Sequence, residues 1–222
     1  MPVLVRPRAV VFDLDGTIVD NMALHAEAFA AFAARHGLPP LTAADRARLD
    51  GRRNSEIFPL LFGREMTREE WLAYEHEKES LYREVSRGRL TLVAGLTALL
   101  TYLDERDIAI ALATSAPELN VAHTLGEVGL ARAFPIVVRG DQVRRGKPAP
   151  DVFLEASRQL DVPAAECLVF EDAPMGVTAA RAAGMPVVAI ASSFSAAQFA
   201  AQADAPDLVC TDFADFLSRV AW

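Results

Sequence analysis

The chain has 222 residues, 52% of them hydrophobic, and carries 22 Lys and Arg against 30 Asp and Glu for a net charge of −8. That length supports a sizeable core, as one large domain or a core domain with an insert, and the acidic balance argues against a general nucleic-acid surface. No run approaches the roughly 20 uninterrupted apolar residues of a membrane span, and the apolar run behind Arg6 and Arg8 reaches Asp13 too soon for a signal peptide, so a cytoplasmic protein with no membrane partner is expected.

The first predicted element is a strand at 9–12, where Ala-Val-Val-Phe runs into Asp13, Asp15, Gly16 and Thr17. A buried strand delivers two acids into a turn, at the carboxyl end where open parallel sheets place their ligands. Holding both acids ionised at close range requires a cation, and hard oxygen ligands suit Mg²⁺. A plain Asp-Gly turn is the bland alternative. A calcium loop fails locally, because Leu14, Ile18 and Val19 interrupt the acids and no Glu arrives at the twelfth position.

Helical patterns follow at 22–36, 43–50, 54–62 and 67–87 without a convincing strand. From about residue 90 the rhythm changes to helices at 95–106, 117–129, 150–161, 174–183 and 213–219, alternating with strands at 108–113, 136–138, 167–170, 187–190 and 208–210. Such alternation predicts βαβ units and a parallel sheet. One crossover helix does not need the whole interval between the first two strands, so the extra helices read as an insert. The expected fold class is therefore α/β: a doubly wound, Rossmann-like parallel sheet core from residues 1–19 and 90–222, with a helical cap domain, 20–89, inserted after the first strand. Cys167 and Cys210 sit in apolar runs and are expected to be buried, reduced thiols.

Three later strands also end in polar groups. The second runs into Thr114 and Ser115 before Pro117, where hydroxyls and backbone N–H groups suit an anion or simply cap a helix. Lys147 sits in a Pro-rigidified loop. The strand at 167–170 ends in Glu171 and Asp172, repeating the logic of the first motif, with an N-cap as the bland role for Asp172. Gly176, Ala179, Ala180, Ala183 and Gly184 give the next helix a small-residue face for close approach to the sheet.

The four motifs, in this order on successive strands, resemble those of the haloacid dehalogenase superfamily, and the match covers nearly the whole chain. The resemblance implies that Asp13 is a nucleophile, Asp15 a general acid and base, and Thr114, Ser115 and Lys147 a phosphate-binding set. It also implies a Mg²⁺ site drawn from Asp13, Asp15 through its backbone carbonyl, Asp172 and Glu171, the last as a metal-shell or supporting acid. The insert resembles the small cap of the β-phosphoglucomutase-like branch, which makes His25, Arg52, Arg53, Asn54 and Lys78 candidates for substrate handling. Lys78 lies among Glu75, Glu77 and Glu79, however, and a solvated charged face is its alternative. Trp71, Leu72, Leu81 and Tyr82 of the same helix read as core. Where the branch's mutases place Gly-x-Ser-Arg, this chain has Gly51-Arg52-Arg53-Asn54, which favours hydrolase over mutase.

The chemistry agrees with those implied roles. A carboxylate forms an acyl phosphate when the phosphoryl charge is neutralised and attack is held in line, and a second carboxyl group protonates the leaving alkoxide and later takes a proton from water. The expectation is a Mg²⁺-dependent phosphatase of small phosphorylated metabolites, with sugar phosphates leading, working through an aspartyl phosphate. The alternative is a β-phosphoglucomutase-like isomerase. Carbon–halogen hydrolysis would leave Asp15 without a task, and a non-enzymatic binder would leave the whole catalytic set unused. A monomer is expected, with a dimer as the alternative.

Overall fold

The computed structural model describes residues 4–220 and 222. Strands β1 (Ala9–Phe12), β2 (Ala109–Thr114), β3 (Val137–Arg139), β4 (Cys167–Glu171), β5 (Val187–Ile190) and β6 (Leu208–Cys210) form a six-stranded parallel sheet in the order β3-β2-β1-β4-β5-β6. The order reverses around β1, so the chain winds in both directions from the strand that carries the first acidic motif. This is the expected doubly wound α/β core, and the crevice at such a reversal is where these sheets bind ligands.

The alternation within β1 explains why it lies at the centre. Val10 and Phe12 enter one core cluster, whereas Ala9 and Val11 enter the other, and all four are fully buried. On the first face, helices α5 (Leu96–Asp104), α6 (Glu118–Glu127) and α10 (Phe213–Arg219) contribute Leu99, Val121, Phe213 and Phe216. On the other, α7 (Asp151–Leu160) and α8 (Pro174–Ala182) contribute Phe153, Ala156, Val177 and Ala180. Phe12 stacks on Phe170 of β4 with ring centroids 5.3 Å apart. Cys167 and Cys210 are buried and free.

Between β1 and β2 lie α1 (Met22–Arg35), α2 (Ala43–Leu49), α3 (Asn54–Phe62) and α4 (Arg68–Ser86). They have apolar clusters of their own, one centred on Phe32, Phe58, Leu81 and Tyr82 and a second on Phe29, Leu49 and Ile57. The connections into and out of this group run side by side, with Val93 N–H bonded to Ile18 O at 3.0 Å and Asp20 N–H to Thr91 O at 2.9 Å. A Thr67–Glu70 capping box starts α4. Leu72 is exposed rather than core, because it lies on the outer side of that helix. A further short helix, α9 (Ala196–Ala200), was not expected from the pattern; a Ser195–Gln198 capping box starts it, and five residues are too few to display a helical period. Among the described residues no helix is long and apolar enough to cross a membrane.

Candidate active site

Asp13 is the first residue beyond β1, and its N–H donates to Phe170 O at 2.9 Å. Thr114 closes the adjacent β2 and Glu171 the adjacent β4, so three neighbouring strand ends deliver their polar residues to one edge of the sheet. Lys147 reaches in from the loop between β3 and α7. Its side chain, 1% exposed, donates from Nζ to Asp13 Oδ1 at 2.5 Å, Glu171 Oε1 at 2.7 Å and Ala113 O at 3.3 Å. Although burial disfavours its charge, Asp13 and Glu171 together raise its pKa and hold it as an ammonium.

The other oxygen of Glu171 accepts the N–H groups of Asp172 and Ala173, each at 2.8 Å. Both oxygens of this carboxylate therefore have protein donors. That makes Glu171 a support for Lys147 and the following turn. Its seat depends on Gly176, where a Cβ would lie 1.7 Å from Glu171 Oε1. Asp172 does not cap α8, whose N-cap is Ala173. Its carboxylate instead accepts from Ser193 Oγ at Oδ2 and from Thr17 Oγ1 at Oδ1, the latter at 3.4 Å. Gly16 makes the approach possible: φ is +79°, and a Cβ there would stand 2.0 Å from Asp172 Oδ2.

Asp13, Glu171 and Asp172 are all buried, with Lys147 as their shared cation. Burial, partly offset by Lys147 and reinforced by Glu171, pushes Asp13 up to about 7, and burial together with Glu171 and Asp13 raises Asp172 well above the carboxylate range. Three carboxylates against one ammonium form an electron-rich pocket of hard oxygens, which fits a divalent cation such as Mg²⁺. Among the described residues no three His, Cys, Asp or Glu side chains converge as a ligand cluster. A set made of two carboxylates, Asp13 and Asp172, with a backbone carbonyl of Asp15 is consistent with that, and it leaves the Asp15 side chain free.

Asp15 turns away from this cluster. Its Oδ1 accepts from Asn21 Nδ2 at 2.6 Å, and His25 Nε2 lies 3.5 Å away. Burial would raise its pKa, but the charge and hydrogen bond of His25 and the Asn21 amide outweigh that and lower it. Asn21 Oδ1 accepts Gly16 N–H at 3.0 Å, and its amide also donates to Tyr82 Oη at 2.6 Å. Tyr82 stacks on His25, with centroids 3.8 Å apart and planes at 5°. The two acids of the first motif thus occupy different electrostatic settings, one beside Lys147 and the other beside an imidazole and an amide.

A cleft of about 90 Å³ lies over both acids, lined by Asp13, Asp15, Thr114, Ser115 and Asp172 from the sheet edge and by His25, Arg52, Asn54 and Lys78 from α1–α4 and their loops. Lys147 lies beneath this lining, on Asp13. Thr114 Oγ1 accepts Ala116 N–H at 3.0 Å, and Ser115 Oγ donates to Gly51 O at 2.9 Å. Lys78 is 3% exposed, which overturns the solvated-face alternative; its Nζ lies 3.3 Å from His25 Nδ1 and donates to Glu79 Oε1 at 2.9 Å. Arg53 is not part of the lining. Its guanidinium pairs with Glu56 and reaches the carbonyls of Gly140 and Val143 at 3.2 and 3.4 Å, so it ties the inserted helices to the core.

Sequence reasoning passed over Glu79, Asn120 and Tyr82 as site residues. Glu79 accepts from Asn54 Nδ2 at 2.7 Å and Asn120 Nδ2 at 2.5 Å, and all three line the cleft. A signal was present in α4, where Lys78, Tyr82 and Ser86 fall at i, i+4 and i+8, on the stripe that faces inward.

A model of the haloacid dehalogenase-like hydrolases matches residues 10–190. The chain belongs to that family. It is 32% identical over 180 residues to the phosphorylated carbohydrates phosphatase of Thermotoga maritima, covering 80% of this chain and 82% of that one. It is 33% identical over 190 residues to the β-phosphoglucomutase of Bacillus subtilis, covering 82% and 83%. The crystal structure of a family IA hydrolase from Entamoeba histolytica superposes with a TM-score of 0.84 at 30% identity, covering 96% of this chain and 95% of that one. The expectation of a haloacid dehalogenase-like enzyme of the phosphatase kind is met at this level.

Proposed function

We propose that this enzyme is a Mg²⁺-dependent phosphomonoester hydrolase of small phosphorylated metabolites, sugar phosphates foremost, acting in the cytoplasm. The observation that carries this reading is the division of labour between Asp13, paired with Lys147, and Asp15, held by Asn21 and His25, in one cleft. The phosphatase among its relatives supports the substrate class. In this reading residues 20–89 act as a cap over a core of 1–19 and 90–222, so that the substrate reacts with water largely excluded.

Asp13 attacks phosphorus and becomes an aspartyl phosphate; Asp15, an anion in the free site, takes up a proton from solvent as the negatively charged phosphate ester arrives beside it and gives that proton to the departing alkoxide oxygen. Asp15 then takes a proton from water as that water attacks the aspartyl phosphate, which restores both carboxyl groups and frees inorganic phosphate. Lys147 balances charge on the equatorial oxygens, and the Thr114 hydroxyl, whose oxygen already accepts Ala116 N–H, donates to one of them. Asp13, Asp172 and the Asp15 carbonyl would hold Mg²⁺, which supplies further charge neutralisation at the phosphoryl group.

Hydrolysis rather than isomerisation is proposed because Asn54 stands where a mutase would present an Arg to the second phosphate of its intermediate. Incubation with Mg²⁺ and a panel of sugar phosphates, scoring free phosphate and isomerised sugar, tests the reading. Phosphate release should dominate. Conversion of β-glucose 1-phosphate to glucose 6-phosphate faster than phosphate release, in the presence of a bisphosphate primer, would establish the mutase instead.

A further inference from the structure

Glu79 is a carboxylate in an unusual place: 4% exposed, on α4, in the wall of the cleft that faces the two catalytic acids. Lys78 and Asn54 donate to Oε1 and Asn120 to Oε2. A carboxylate offers about four acceptor positions, so these three donors leave one on Oε2. Burial works against its charge, but Lys78, His25 and Asn54 outweigh burial and keep it ionised.

The cations around it are already committed. Lys78 is paired with Glu79, and Arg52 donates to Arg48 O at 2.8 Å and to Glu56 Oε2 at 3.4 Å. Asp50, also in the lining, is paired with Arg46. Among the described residues, then, Lys78 and Arg52 of the cap side of the cleft each face a carboxylate, His25 faces Asp15, and the remainder of that wall is Gly51, Asn54 and the apolar Met22, Phe29, Leu49 and Ile57. A substrate carrying a second anionic group meets a buried negative charge with no free cation to balance it, at low dielectric where repulsion is strong. A neutral hydroxyl meets an ionised acceptor with a vacant lone pair.

We infer that Glu79 is the specificity-determining residue for the leaving group, accepting a hydrogen bond from a neutral, hydroxyl-bearing carbon chain and turning away phosphoesters that carry a second acid. The inference rests on the phosphatase reading above and names the substrate class within it.

The test measures kcat/KM at saturating Mg²⁺ for p-nitrophenyl phosphate, sorbitol 6-phosphate and 2-phosphoglycolate, in the wild type, Glu79→Gln and Glu79→Asp, with circular dichroism to compare folding. The wild type should prefer sorbitol 6-phosphate to 2-phosphoglycolate. Glu79→Gln should lower that preference by roughly tenfold or more, the scale of one hydrogen bond to a charged acceptor, and Glu79→Asp, which keeps the charge, should retain its direction. A wild type that prefers 2-phosphoglycolate overturns the inference, even if Glu79→Gln does not fold. So does a Glu79→Gln protein that loses all three substrates in proportion, because a purely structural role would lower every rate alike. In both cases p-nitrophenyl phosphate turnover shows that the phosphatase reading stands; absence of turnover on all three substrates in the wild type removes both.

Discussion

Replacing Tyr82 by Phe separates one hydroxyl from an otherwise unchanged ring. The side chain is fully buried, and its Oη accepts from Asn21 Nδ2 at 2.6 Å and shares a hydrogen bond with Thr124 Oγ1 at 3.2 Å. Burial and the neighbouring Asp15 hold the phenol above its ordinary pKa, so it stays protonated throughout the working range. In the variant the stack on His25 survives, but Asn21 and Thr124 each lose a partner where no exposed surface replaces it. A buried polar group left without its partner costs about 1–3 kcal/mol. For a domain of this size about 1 kcal/mol moves the melting temperature by roughly 2–4 °C, so Tyr82→Phe should melt roughly 2–12 °C below the wild type. Thermal denaturation followed by circular dichroism, at one fixed Mg²⁺ concentration, measures it. A variant that melts within about 1 °C of the wild type, or above it, would show that the hydroxyl network contributes nothing net and refute the reasoning.

Asp13→Asn should abolish nearly all turnover in a folded protein, since it retains size but removes the attacking anion; near-wild-type phosphate release would exclude Asp13 as nucleophile. Asp15→Asn should slow alkyl phosphates by about 10²–10⁴-fold and aryl phosphates much less, because a good leaving group needs little protonation. Equal losses on both would instead make Asp15 structural. For Asp172→Ala, a Mg²⁺ titration of activity should show a higher half-saturating concentration, and an unchanged one would remove Asp172 from the metal site. The lowered pKa of Glu79 gives stability that is fully present above the unfolded carboxylate pKa of about 4.3 and is lost as pH falls through the lower folded value. Urea melts from about pH 7 to pH 3 should therefore show the gap between wild type and Glu79→Gln constant at first and then closing on acidification, and a gap that widens in acid contradicts the assignment.

The core was readable because its signals are local. Every strand but β5 ends where an apolar run meets a polar residue, and β1, β5 and β6 occupy the expected residues; in β1 and β5, burial on both faces demands an uninterrupted apolar run. The pairing of Lys147 with Asp13 and Glu171 follows from the sheet order, which places the ends of β1 and β4 side by side. The wall made by α1–α4 was less legible. Glu75, Glu77 and Glu79 look alike along the chain, yet Glu79 alone meets Asn120, a residue of α6 far away in sequence. Arg53 was misplaced for the same reason: its partners, the carbonyls of Gly140 and Val143, belong to a loop that only the tertiary fold brings near. Which face of a polar helix is buried depends on what it is set against, and that information is not local.

The surplus of negative charge around Asp13, Glu171 and Asp172 has a thermodynamic reach beyond the reaction. Folding gathers three acids into a space where one ammonium must serve them all, and the unfolded chain pays no such penalty. Whatever cation or phosphate ester settles there binds the folded chain selectively, and by mass action adds to its stability, about 2.7 kcal/mol at a hundredfold excess over the dissociation constant. If the proposed Mg²⁺ is that cation, its free concentration would set the enzyme's resistance to unfolding and proteolysis as well as its rate. On that reading, withdrawing the ion would cost the enzyme its activity at once and its resistance to proteolysis afterwards.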